Sequence, residues 1–246
     1  MTRMIRTICL AAAFVAATHA SADTLADIKS ALRNLHATVP IRAAYETKSA
    51  NVAKGRFFDQ DVSTTAAVEA RVDDSGITIV YPRALLERAA AQRDSKRDDL
   101  KQRVADISAT RIAEMLDYAP ALVSLLDRAT VVEEKAGTFN AQPVRLIVLN
   151  ISQREDPRVK SGHVDVKLVR LSIWLGADAL PLYAERTIKF SAGILFLKAD
   201  GEQTEKSTFA HRDDRLVMLR QEHTDSSSGM GQMSRNTETE MIRIEN

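Results

Sequence analysis

The chain has 246 residues, with 34 lysines plus arginines against 33 aspartates plus glutamates, and one cysteine. This balanced charge gives no electrostatic basis for binding nucleic acid. A chain of this length can bury a substantial core, and no linker-like stretch divides it, so residues 23–246 are predicted to form a single domain.

Residues 1–22 are predicted to be a cleavable secretory signal. Arg3 and Arg6 give the first residues a positive charge, and the apolar run over residues 7–18 ends at the small-residue pattern Ala20-Ser21-Ala22. A membrane anchor is the alternative, but it needs about 20 apolar residues. We therefore expect a periplasmic protein with no membrane-spanning helix after residue 22.

The single cysteine, Cys9, lies inside the apolar run of this signal. Cleavage would leave no thiol in the mature chain. Disulfides, a thiolate nucleophile and cysteine metal sites are therefore excluded from the predictions for residues 23–246.

The first elements of the mature chain are predicted to be a short helix followed by strands. The helix is indicated by apolar residues at helical spacing, Leu25, Ile28, Leu32 and Leu35. After Pro40, the alternation of Ile41, Ala43 and Tyr45 predicts a strand. Residues 64–81 predict a hairpin whose turn is Asp73-Asp74-Ser75-Gly76.

Residues 82–128 are predicted to be helical, because their apolar spacing lengthens from two to about 3.6. Residues 92–99 carry no apolar side chain, which indicates a solvated face or a break between helices. Pro120 is typical of the first turn of a helix, here one that carries Leu122, Leu125 and Leu126.

The remaining sequence predicts an antiparallel meander. Strand-like segments are residues 144–151, 164–175, 183–190, 194–198, 204–210, 216–222 and 237–244. Turns are predicted at Asp156-Pro157, Ser161-Gly162, Asp200-Gly201 and residues 211–214, and a mobile loop at residues 224–236. In residues 164–175 the apolar alternation switches near Leu168, which predicts either a β-bulge or a strand covered on both faces.

No catalytic signature is present in the sequence. The pairs His163/Asp165 and His211/Asp213 are compatible with acid–base or metal chemistry, but both lie at turn signals, where solvent exposure is the simpler explanation. Zinc catalysis needs about three converging ligands, and no helical histidine spacing provides them. We therefore expect a non-enzymatic protein with no metal and no cofactor.

The aromatic residues of the second half are the remaining candidates for a site. Trp174, Tyr183, Phe190, Phe196 and Phe209 could line an apolar pocket, with ordinary core packing as the alternative. Trp174 is expected to be buried where its strand meets the following turn, either on the face opposite Ile173 or at the end of the sheet under Pro181 and Leu182.

The segment from Leu171 to Tyr183, LSIWLGADALPLY, resembles the strand–turn–strand signature of the lipoprotein-carrier (LolA/LolB-like) superfamily. The order of elements is also similar to that family: a signal, a helix, early strands, a helical insertion and a long meander. The resemblance implies an α+β fold, with a strongly curved antiparallel half-barrel covered on its concave face by the N-terminal helix and by residues 83–128.

The same resemblance implies a cavity between sheet and helices that holds an acyl chain or another apolar ligand. The expected ligand-binding residues are Trp174, Tyr183, Phe190, Phe196, Leu122 and Leu126. The alternative function is a periplasmic protein-interaction or sensor module with a packed interior, which would show an exposed apolar patch instead.

Overall fold

Ten antiparallel strands form one sheet in the computed structural model, which describes residues 24–55, 58–91, 99–152, 164–194, 197–229 and 232–245. The strands are β1 (Ile41–Gly55), β2 (Phe58–Asp73), β3 (Gly76–Val80), β4 (Ala129–Phe139), β5 (Gln142–Ile151), β6 (Val164–Leu175), β7 (Pro181–Ile194), β8 (Leu197–Arg212), β9 (Arg215–Gly229) and β10 (Gln232–Glu245). The predicted antiparallel sheet is confirmed. The secretory signal predicted for residues 1–22 lies outside the described residues.

Five helices accompany the sheet in the described ranges: α1 (24–33), α2 (Arg83–Ala91), α3 (Asp99–Ala105), α4 (Ala109–Leu116) and α5 (Ala119–Leu126). The hydroxyl of Ser108 caps α4 by accepting a hydrogen bond from the backbone N–H of Arg111, and Pro120 lies in the first turn of α5. Both the N-terminal helix and the helical block at 82–128 are confirmed. None of the described helices is long and apolar enough to cross a membrane.

The strand order is β3-β2-β1-β10-β9-β8-β7-β6-β5-β4. Pairing of β1 with β10 joins the first strands to the C-terminal meander. The end strands β3 and β4 are not paired with each other, so the described sheet is open. The helices α2–α5 lie in sequence between these two end strands.

The hydrophobic core lies on one face of the sheet, here called the core face. In the middle of β5, β6 and β7, the directly paired residues Ile147, Ile173 and Ala184 point to it with exposures of 0, 0 and 6%. The same cluster contains buried residues from each of the five helices, among them Ile28, Leu85, Leu100, Met115 and Leu126. Because side chains alternate along a strand, the neighbours of these strand residues point to the opposite side, here called the outer face.

Local features of three predicted elements are confirmed. The β2–β3 turn is closed by the Asp73 carboxylate, which accepts a hydrogen bond from the Ser75 N–H at 2.9 Å, and Gly76 adopts φ 108°. The register between β6 and β7 shifts between Val166 and Leu168, where the sequence predicts a bulge. Strand β7 begins at Pro181, as the strand–turn–strand segment predicts.

Other predictions for the second half are wrong. Residues 224–236 were expected to be a mobile loop, but they belong to β9 and β10 on both sides of residues 230–231. Pairing with β8 and β1 gives the backbone groups of these residues their hydrogen-bond partners. Asp200-Gly201, expected to be a turn, lies inside β8. The segment 194–198, expected to be one strand, spans the end of β7 and the start of β8. Strand β4 was not predicted from the sequence. The turns at Asp156-Pro157 and Ser161-Gly162 lie outside the described residues.

Candidate functional site

The two leucines expected to contact a ligand are part of the packed core. Leu122 and Leu126 of α5 are 1 and 0% exposed. They belong to the same cluster as Ile147 and Ile173 of the sheet. Helix α5 therefore packs these side chains against protein atoms.

Trp174 and Tyr183 lie on the outer face, away from that core. Trp174 is paired with Leu146 on one side and with Tyr183 on the other. Its ring packs edge-on against Tyr183, with centroids 5.0 Å apart, and the ring of Phe139 stacks on Tyr183 at 5.4 Å. We call Phe139, Trp174 and Tyr183 the outer aromatic cluster.

All three residues of the outer aromatic cluster are half-buried. Trp174 lies on the face opposite Ile173, as the sequence predicts. It is only half-buried, however, whereas the sequence analysis predicts that it is buried. Partial burial raises the pKa of Tyr183 to about 12, with Glu185 and Glu222 acting in the same direction. Tyr183 is therefore neutral at physiological pH.

Phe190 lies apart from both groups. It is paired with Gly201 across β7 and β8, and its ring occupies the space above that glycine. The two residues line a cavity of about 470 Å³ together with Lys189, Asp200 and Glu202. Phe196 lies outside the described residues. The expected ligand-binding residues are therefore not brought together in one described cavity.

The histidine–carboxylate pairs proposed for the enzymatic alternative are not assembled into a described metal site. His163 lies outside the described residues, and His211 and Asp213 are both exposed. Within the described ranges no three His, Cys, Asp or Glu side chains are grouped so that they could hold a metal ion.

A second group of polar residues, not expected from the sequence, lies on the core face beyond the apolar cluster. Arg186, Glu205, His223 and Glu238 are directly paired across β7, β8, β9 and β10. Together with residues of α4 and the start of α5 they line a cavity of about 380 Å³, here called the charged pocket. Its lining residues are Arg111, Glu114, Tyr118, Arg186, Glu205, Gln221, His223, Glu238 and Glu240.

Arg111 connects α4 to this part of the sheet. Its Nε and Nη2 atoms donate to Oε2 of Glu240 at 2.9 and 2.8 Å, and Nη2 also donates to Gln221. Glu114 lies 3.2 Å from the same guanidinium. Burial lowers the pKa of Arg111, but its bonds and charge interactions with Glu240 outweigh that effect and leave the pKa raised.

Glu240 has a second partner on the other side. The hydroxyl of Tyr45 donates to Oε1 of Glu240 at 2.5 Å. Burial and the neighbouring Glu240 raise the pKa of Tyr45, so its hydroxyl stays protonated and remains a donor. Glu240 thus links α4, β1 and β10.

His223 lies between two carboxylates. Its Nδ1 is 3.4 Å from Oε1 of Glu205, and its Nε2 is 2.9 Å from Oδ2 of Asp225. Glu205 also accepts a hydrogen bond from Arg186 at 2.8 Å. The bond with Glu205 and the charge of Asp225 raise the pKa of His223, although partial burial acts against them. An imidazolium can donate from both ring nitrogens, so this arrangement favours the charged form.

A sequence signal for the charged pocket is the alternation of polar residues in the last two strands. Gln221, His223 and Asp225 alternate along β9, and Glu238 and Glu240 alternate along β10. Period-two spacing puts each set on one face of its strand. Because residues 224–236 are predicted to be a loop, the sequence alone does not give the register that pairs the two sets.

Comparison with known proteins gives little further information. No protein-family model matches the chain, and no curated protein matches it. Among solved structures, the chain is similar to MucB in the crystal structure of MucB in complex with MucA(peri), with 8% sequence identity, 91% of this chain and 94% of that chain covered, and a TM-score of 0.19. A similarity at this level does not establish a shared fold.

Proposed function

We propose that this protein is a non-enzymatic binding protein of the periplasm and that its ligand is an extended segment of a partner protein, held at the outer aromatic cluster. The predicted secretory signal supports the compartment. The observation that carries the proposal is the clustering of Phe139, Trp174 and Tyr183 on the face opposite the core. Each of the three residues is only partly buried.

Aromatic rings of this kind are efficient anchors for a partner. Tyrosine and tryptophan offer a large apolar surface with one polar end, and they are enriched among the residues that carry most of the binding energy at interfaces. Leu146, the cross-strand neighbour of Trp174, is also half-buried and extends the apolar surface toward β5. The patch is therefore continuous across several strands.

The position of Phe139 next to the edge of the sheet favours an extended peptide. Strand β4 is an end strand, so the backbone groups along its outer edge have no strand partner among the described residues. A register shift between Val131 and Glu133 and the Glu133–Lys135 ion pair protect its first half. Its last residues, which end at Phe139, can pair with an added strand whose side chains contact the aromatic rings.

An apolar ligand held between a strongly curved sheet and its covering helices is the second candidate. Phe190, half-buried beside a cavity of about 470 Å³, favours it. The packing of Leu122 and Leu126 opposes it, since an acyl chain could contact them only after helix α5 moved. The resemblance to lipoprotein carriers belongs to this second candidate and stays a prediction.

Native mass spectrometry of the protein purified from the periplasm distinguishes a partner protein from an apolar ligand. A partner protein adds a mass of several kilodaltons, whereas an acyl ligand adds the mass of a small molecule. We expect a protein-sized addition that is lost in Phe139→Ser and kept in Leu86→Ser, a control at another exposed apolar residue. A small-molecule addition that Phe139→Ser does not change would favour the second candidate and contradict the first.

A further inference from the structure

Strand β3 forms the second free edge of the sheet, at the opposite end of the strand order from β4. It pairs with β2 on one side only. In the described part of the chain, no residue outside β2 forms a backbone hydrogen bond with Gly76–Val80. The outer edge of β3 is therefore open to an added strand.

The edge of β3 lacks the features that protect the edges of other sheets. Its sequence, GITIV, has no charged residue and no proline, and its register with β2 is regular over all five residues. Val80 is 54% exposed, and Thr78 is also exposed. Strand β4, in contrast, carries a register shift and the charged residues Glu133, Glu134 and Lys135. An uncharged, β-branched edge of this kind favours pairing with another strand.

The direction of the backbone groups alternates along β3. Asp73 and Gly76 flank a two-residue turn and are paired with each other, so they are the hydrogen-bonded pair that closes the hairpin. Every second residue from Gly76 onward therefore directs its backbone groups to β2. Ile77 and Ile79 direct their N–H and C=O groups to the open edge, one on each side of Thr78.

This edge is complementary to itself. In an antiparallel pair of β3 strands centred on Thr78, Ile77 of each copy lies opposite Ile79 of the other, and each such pair exchanges two hydrogen bonds. Both isoleucines are half-buried and pack against the hydrophobic core, so the pairing also covers the apolar surface that they leave exposed. The exposed Thr78 of one copy then lies directly opposite Thr78 of the other.

Charges at the two ends of β3 favour the same antiparallel orientation. The exposed Asp74 precedes the strand, and Arg83, whose side chain is 92% exposed, follows it. Antiparallel pairing about Thr78 places Asp74 of each copy near Arg83 of the other, whereas parallel pairing would place like charges side by side. The ion pair of Arg83 with Glu87 is exposed, and a guanidinium has donors for a second carboxylate.

We propose that two copies of this chain form a symmetric dimer by antiparallel pairing of their β3 strands about Thr78. The contact leaves the β4 edge of each copy free, so it does not depend on the proposed docking of a partner at the outer aromatic cluster. Because only five residues of each strand are paired, we expect a weak dimer whose population rises with protein concentration.

Cysteine crosslinking of the mature chain tests the register directly. Thr78→Cys places two thiols across the two-fold axis, where the Cα atoms of a non-hydrogen-bonded pair are about 4.5 Å apart, within disulfide range. Cys9 lies in the predicted signal, so the mature chain has no other thiol. We expect mild oxidation to give at least about tenfold more linked dimer from Thr78→Cys than from Thr130→Cys, at an exposed residue of β4. Equal crosslinking at the two positions overturns the proposal.

Charge exchange at Thr78 shows whether self-association uses the same contact. Thr78→Lys and Thr78→Glu each place like charges opposite one another, and we expect each to weaken self-association at least about tenfold in sedimentation velocity. An equal mixture of the two variants restores it, because opposite charges then meet, which also shows that both variants are folded. Thr130→Lys leaves it unchanged. An unsubstituted chain that stays monomeric up to about 1 mM, unchanged association in both Thr78 variants, or a mixture that does not associate overturns the proposal.

Discussion

Arg111 of α4 and Glu240 of β10 are joined through one carboxylate oxygen, which accepts hydrogen bonds from Nε at 2.9 Å and from Nη2 at 2.8 Å. Both side chains are about three-quarters buried or more, and the other oxygen of Glu240 accepts from Tyr45. This contact fixes a helix of the insertion to the strand that joins the two halves of the sheet.

Removing Arg111 should therefore destabilise the fold measurably. Arg111→Met keeps most of the apolar stem but removes the hydrogen bonds to a part-buried carboxylate, so we expect a loss of about 2–3 kcal/mol in the free energy of unfolding. The matched control is Arg83→Met, whose ion pair with Glu87 is exposed and whose loss should cost less than about 0.5 kcal/mol. Urea unfolding curves measure both. Equal effects for the two variants would contradict the assigned role of Arg111.

The environment of His223 predicts a pH-dependent contribution to stability. Glu205 and Asp225 raise its folded-state pKa above the unfolded value of about 6.5. The stabilisation is therefore complete below the unfolded pKa and is lost as the pH rises through the folded pKa. His223→Gln should lower stability clearly at a pH near 5 and by much less at a pH near 9. Urea unfolding at the two pH values checks this, and a loss that does not depend on pH would exclude the imidazolium bridge.

Gly201 provides a test of the β7–β8 register. A methyl group at this residue would overlap the ring of Phe190, so Gly201→Ala should cost about 1–3 kcal/mol through overpacking. In a Phe190→Ala background the overlap is removed, and the same change should instead stabilise the strand by about 0.4–1 kcal/mol, because alanine loses less backbone entropy. Thermal unfolding of the four proteins in this cycle gives both numbers. The same sign in both backgrounds would show that Phe190 does not cover Gly201.

Trp174 and Ile173 are neighbours on opposite faces, which makes them a matched pair. Trp174→Ala should cost about 1–2 kcal/mol, from its contact with Tyr183 and its half-buried area. Ile173→Ala removes a side chain that is 0% exposed and should cost about 2–5 kcal/mol. The emission of the single tryptophan should lie between the buried and hydrated positions and shift to the red on unfolding. A larger loss of stability for Trp174→Ala than for Ile173→Ala would contradict the assignment of the core to the face that carries Ile173.

Much of the fold could be predicted because its signals are local. Helix α1, the β2–β3 hairpin and the bulge after Val166 depend on spacing and turn residues within a few positions. The sequence of β4, ATVVEEKAGTF, lacks a clear alternation, because none of its residues is buried and no buried face imposes one. The β9–β10 segment, rich in serine and threonine, is ordered by its neighbours and not by its own composition.

The candidate sites could not be assembled from the sequence for the same reason. Arg111 and Glu240 are 129 positions apart, and only the pairing of β10 with β9 and β1 brings them together. Phe139 meets Tyr183 through the order of four strands, one of which was not predicted. The pair Asp200-Gly201 is typical of a turn, whereas in the structure the missing side chain of Gly201 leaves space for the ring of Phe190.

Site-specific photo-crosslinking tests the proposed partner docking most directly. Benzoylphenylalanine, placed at Phe139 as a close analogue of phenylalanine, reports what contacts the outer aromatic cluster in the cells that make the protein. The same group at Leu86, 47% exposed on α2, serves as the control. The account predicts a discrete protein adduct at 139 that is absent at 86 and is reduced when Trp174→Ala is added. No protein adduct at 139, or the same adducts at both positions, would contradict it.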